Sequence, residues 1–145
     1  MRRSVYVVGV LVVLLGGCDL ADDKTPERVS NGTNALDVTV PGRPTPGSLA
    51  LTEHVIARLK ARDAEGLARY ADADDTARDN AARWMARWGD AARRPATAHF
   101  GLGEKDASVD IRFTGERSPM SLLLVPEHED APYDDAYVVV LDDGR

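Results

Sequence analysis

One cysteine, Cys18, is all that the 145 residues contain. That excludes an internal disulfide, so the folded part must hold together by burial alone. Aromatic residues are also scarce, at 6 % of the chain, so each one counts as a candidate for the core or for a site. Basic charge is in deficit: 18 Lys and Arg stand against 24 Asp and Glu, a net charge of −6. A polyanion such as nucleic acid needs a basic footprint, and it is therefore not expected as a partner. Long apolar runs are missing too. The longest, Val5 to Leu15, is well short of the roughly 20 residues that span a bilayer. There is no Gly-x-x-x-x-Gly-Lys, no Gly-x-Gly-x-x-Gly and no Gly-x-Ser-x-Gly. The phosphate cradle, the dinucleotide turn and the serine nucleophile elbow are thereby excluded, and no cofactor is implied.

What is present begins at the N-terminus. Arg2 and Arg3 precede the apolar run, which closes in Leu15-Gly16-Gly17-Cys18. A basic start, a short apolar stretch and small residues before a cleavage point form a secretory signal. The layout resembles the lipobox of bacterial lipoproteins. There the cysteine thiol carries a diacylglyceryl group and becomes the new N-terminus. The resemblance implies a signal peptide over residues 1–17, lipidation at Cys18 and a place on the outer face of the cell membrane. It departs from the commoner pattern in having Gly at both positions before the cysteine. An uncleaved anchor helix, or a free thiol left by ordinary cleavage, are the alternatives. Loss of Arg2 and Arg3 lowers the basic count from 18 to 16 while the acidic count stays at 24, so the mature chain is more acidic still.

Residues 18–46 are expected to form a flexible tether. Asp19, Asp22, Asp23, Lys24, Glu27, Asn31 and Asn34 give it low hydrophobicity and no period, and Pro41, Pro44 and Pro46 stiffen its end. Only Ala35 to Val40 alternates, as a short edge strand would.

From Gly47 onward the pattern is that of one small domain. Leu51, Val55, Ile56 and Leu59 share a helical face, with Glu53, Arg58, Lys60 and Arg62 on the other. Asp63 is placed to cap a second, short helix through Leu67 and Tyr70. Ala77, Ala81, Trp84, Met85 and Trp88 mark a third helix that ends before Pro95. Four strands follow: Thr97–Leu102; a strand in which Val109, Ile111 and Phe113 alternate with Asp110, Arg112 and Thr114; Met120–Val125; and Tyr137–Leu141. Helices first and an antiparallel meander second give an α+β fold class.

The segment Ala61-Arg62-Asp63-Ala64-Glu65-Gly66-Leu67-Ala68-Arg69-Tyr70, the helices-then-strands order and the ending Tyr137-Val138-Val139-Val140-Leu141-Asp142-Asp143-Gly144-Arg145 together resemble the nuclear transport factor 2-like superfamily, over residues 47–145. The resemblance implies N-terminal helices packed on a curved, cone-like antiparallel sheet of about four strands, enclosing a pocket. It also implies one more strand after the hairpin signal Asp143-Gly144, so the last strand, Tyr137–Leu141, either keeps an open edge or lacks its partner.

Candidate site residues are Tyr70, Trp84, Trp88 and His99, as the lining of such a pocket. His99 reaches a pocket only if its strand turns Phe100 outward; a pocket histidine would serve as a base near neutral pH. The two tryptophans are either core or a ligand wall. Beside His128, the carboxylates of Glu129, Asp130, Asp134 and Asp135 supply oxygen ligands but match no calcium loop, so no metal is expected. The expected protein is a membrane-anchored, exported lipoprotein whose domain binds a small apolar ligand or an envelope protein without catalysis. The alternative is a polyketide-cyclase or isomerase-like enzyme using His99 or Tyr70 in acid–base chemistry.

Overall fold

The computed structural model describes residues 36–142. The leader, Cys18, the first part of the expected tether and Asp143–Arg145 lie outside the described residues.

Helix α1, Pro46–Ala61, starts where the sequence supplies both a cap and a pre-set first residue. Thr45 Oγ1 accepts from the Ser48 amide at 3.2 Å, and Pro46 lacks the amide that the first turn would leave unpaired. The helix ends at Arg62, whose left-handed backbone (φ 57°) turns its N–H back onto the Arg58 and Leu59 carbonyls. Asp63 then caps α2, Ala64–Ala68, by accepting from the Gly66 amide at 2.8 Å. Helix α3, Ala77–Trp88, buries Ala81, Trp84, Met85 and Trp88 on one face, and a 3₁₀ turn at Ala91–Arg93 leads into the sheet.

The strands are β1 (Val38–Thr39), β2 (Ala96–Leu102), β3 (Ala107–Phe113), β4 (Met120–Pro126) and β5 (Tyr137–Val140), joined in the order β1-β2-β3-β4-β5. The last four form an antiparallel meander. Strand β1 runs parallel to β2, with Val38 opposite Ala96. The sheet is therefore mixed and five-stranded, where about four antiparallel strands were expected. The extra strand comes from the end of the expected tether. Leu36 is buried, and Val38 and Val40 pack on the core, while the Ala96 amide donates to the Asp37 carbonyl at 2.9 Å. Three apolar residues at alternate positions suffice to dock this segment.

Strict alternation along β3 puts Ala107, Val109, Ile111 and Phe113 under the helices and Ser108, Asp110 and Arg112 outside. The inner face meets Leu51, Val55, Ile56, Leu59 and Leu67 in one apolar core, and Trp88 lies 6.2 Å from Phe113 between ring centroids. Helix α1 is embedded far more than its apolar stripe foretold. Ser48, Thr52 and Glu53 are all fully buried beside the leucines, so Glu53, expected on the wet face, is a core residue. The Thr52 hydroxyl satisfies itself within the helix, donating to the Ser48 carbonyl at 2.8 Å.

The outer edge of β5 is covered by the chain itself. The Val139 amide donates to the Tyr70 carbonyl at 2.8 Å, and the Asp72 amide donates to the Val139 carbonyl at 3.0 Å, a parallel bridge at Ala71. Asn80 Nδ2 donates to the Leu141 carbonyl at 2.8 Å, and Trp84 Nε1 to the Asp142 carbonyl at 3.1 Å.

Candidate functional site

The four residues expected to line one pocket are not brought together. His99 lies on the exposed face of β2, opposite Asp110 of β3, because Ala98 and Phe100 take the inward positions. Tyr70 is half-buried and stacks on His54, with ring centroids 5.1 Å apart and planes 11° apart. Trp84 and Trp88 are core residues. Their outer edges reach one shallow cleft of about 320 Å³ near Ser118 and Pro119, where the Arg87 guanidinium lies 3.9 Å over the Trp88 ring. Among the described residues no group of three or more His, Cys, Asp or Glu is placed to hold a metal ion. The acidic loop shows why: His128 turns to Asp134, while Asp135 turns to α1.

A different place gathers exposed apolar surface. The open end of the helix–sheet layer is bounded by the start of α1, the β2–β3 tip at Gly103–Asp106 and the β4–β5 loop. A cleft of about 330 Å³ there is lined by Pro46, Leu102, Pro132, Tyr133 and Tyr137, with Asp135 beneath. Leu102 is 53 % exposed and Tyr133 71 %, high values for large apolar side chains that line one cleft. A second cleft of about 660 Å³ adjoins it. Both touch Glu104, Lys105, Asp106 and Pro132, so the hairpin tip is their common ridge.

The loop that walls both clefts is held at three points. The Glu127 amide donates to the Ala136 carbonyl at 2.9 Å, closing its neck. His128 Nδ1 lies 2.9 Å from Asp134 Oδ2. That hydrogen bond raises the His128 pKa above its ordinary value, against desolvation and with help from the Asp134, Glu127 and Asp130 charges. The third point is Asp135, which accepts from the Gly47 amide at 2.7 Å and so places a carboxylate at the N-terminus of α1. Asp135 adopts a positive φ of 62°. The approach also explains the glycine: a Cβ on Gly47 would stand 1.8 Å from the Asp135 carbonyl oxygen. Little in the sequence marked this site. Tyr133 was part of a loop described by its charge and Leu102 the last residue of a strand; an aromatic between Pro132 and Asp134 was the available signal.

No family model matches the chain, and no curated protein or solved structure matches it either.

Proposed function

We propose that this protein is a lipid-anchored, exported binding module: a domain held at the outer face of the cell membrane by an acylated Cys18, taking a ligand at the mouth between its helices and its sheet without chemical conversion. The Leu15-Gly16-Gly17-Cys18 leader supports the location. Among the described residues no helix is long and apolar enough to cross a membrane. The binding role is carried by one observation: Leu102 and Tyr133, both strongly exposed, converge on a single cleft. We also read the helix-over-sheet arrangement as the cone-like form suggested by residues 47–145, with this mouth as its opening. The acid–base alternative rested on His99 or Tyr70. A solvent-facing His99 and a Tyr70 packed on His54 weigh against it.

The two parts are tested separately. Wild-type protein from native membranes is expected in the detergent phase of a phase-partition assay, with a diacylglyceryl mass on an N-terminal Cys18, and Cys18→Ala in the aqueous phase. Equal partition of both refutes the anchor. For the mouth, the neutral dye Nile red is expected to brighten with wild type and to lose most of that gain with the double variant L102S/Y133S. Equal brightening of both refutes the binding role of this cleft.

A further inference from the structure

Resting on the reading of this mouth as a binding groove, we propose that its occupant is a basic amphipathic segment of a partner protein, a chain in which Lys or Arg alternate with aliphatic or aromatic residues. The two adjoining clefts differ in character. The first offers Leu102, Tyr133 and Tyr137. The second is lined by Asp72, Glu104, Asp106, Glu127 and Glu129, against Lys105 as its cation. None of these five carboxylates enters a salt bridge among the described residues. The arginine pairs lie elsewhere, Arg58 with Asp63, Arg62 with Asp90, Arg69 with Glu65, and Arg87 and Arg94 with Glu116, and in the loop itself His128 is matched by Asp134. These arginines are engaged away from the mouth, which gathers five carboxylates around Lys105 beside an apolar surface and so carries a net negative field. Complementarity then calls for positive charge next to apolar groups.

Two further points narrow the class. An anionic occupant is disfavoured, because the N-terminus of α1 already holds the Asp135 carboxylate. A small enclosed ligand is disfavoured, because Leu102 and Tyr133 stand out from the surface and the groove continues over the hairpin tip into a second compartment. Exposed tyrosine beside a groove of this length suits a partner chain, since aromatic anchors at the centre of such contacts carry most of the binding energy.

The test uses the full-length protein and three fluorescein-labelled peptides of equal length, alternating Lys with Leu, Glu with Leu, and Ser with Leu, followed by anisotropy. The Lys–Leu peptide is expected to bind and to displace Nile red, with affinity falling as salt is raised. The double variant E127Q/E129Q is expected to weaken it about five-fold, and Tyr133→Ala about ten-fold. Arg112→Gln, on the outer sheet face, is expected to leave it unchanged. Thermal melts of each variant establish that the fold persists. The proposal is overturned if the Lys–Leu peptide fails to bind, if E127Q/E129Q binds it as tightly as wild type, or if the Glu–Leu or Ser–Leu peptide binds equally well. In those cases a retained Nile red signal shows that the groove itself survives and only its charge assignment has failed. Loss of the dye signal as well shows that the binding role has failed with it.

Discussion

His128 closes the loop that walls both clefts, and its protonation sets how firmly. Its hydrogen bond to Asp134 raises its pKa above the ordinary 6.5. A raised folded-state value means that the pair contributes fully below 6.5 and is lost as pH rises through the raised value. Glu116 behaves in the opposite sense. The Arg94 hydrogen bond lowers it from 4.5, with Arg94 and Arg87 charges adding to the effect, so its contribution is full above 4.5 and is lost as pH falls through the lowered value. Both pairs are therefore in place between 4.5 and 6.5. We expect the His128 imidazole, followed by NMR, to titrate above 6.5 in wild type and to fall back toward it in Asp134→Asn. An unchanged midpoint in the variant would refute the pairing. At this scale the sequence was legible where chemistry is local. Asp63 as a cap follows from neighbours a few residues away, whereas Pro46, read as the stiff end of a tether, is the first residue of α1. Glu53 was illegible, because its burial depends on what packs over α1 from both sides, and a one-dimensional pattern that assigns one wet face to every helix misplaces it.

The ending at Tyr137–Leu141 looked like an open strand edge, and an open apolar edge invites association with other chains. The structure closes it with the α2–α3 linker rather than with another strand: Tyr70 and Asp72 bond to Val139, and Asn80 on α3 caps the Leu141 carbonyl. That solution was hidden because Tyr70-Ala71-Asp72 carries no strand pattern, and a single bridge needs only one residue in register. The elements themselves were legible, since the three-and-four spacing of Ala81, Trp84, Met85 and Trp88 and the alternation of Val109, Ile111 and Phe113 each reflect one buried face. Asn80 gives a direct measure of the cover. Asn80→Ala leaves a buried carbonyl without its donor, which costs about 1–3 kcal/mol. Urea unfolding is expected to show that loss, and hydrogen exchange to show faster exchange along β5 than along β3. Equal exchange in both strands would mean that the edge does not depend on Asn80.

At the scale of the molecule, the question is where the domain begins. Composition placed the boundary at Gly47, because residues 18–46 taken together are polar and rich in proline. The alternation from Ala35 to Val40 set their last part apart without moving the boundary. Leu36, Val38 and Val40 are three apolar residues within five positions, and all three meet the core, although only Val38–Thr39 forms a strand. The segment from Leu36 to Thr45 thus leads straight from the edge of the sheet to the cap of α1, and through Thr45 and Pro46 it forms one wall of the mouth. The mouth is thus fixed to a segment whose first residues pack on the core. Leu36 distinguishes this from a loosely laid spacer. If the segment is part of the cooperative unit, Leu36→Ala removes a buried side chain, 7 % exposed in the fold, and costs about 2–3 kcal/mol of global stability. Chemical denaturation would then show a lower midpoint with an unchanged slope, because the whole domain still unfolds as one unit. If the segment is a spacer resting on the sheet, the midpoint stays where it is, and the domain begins at Pro46 after all.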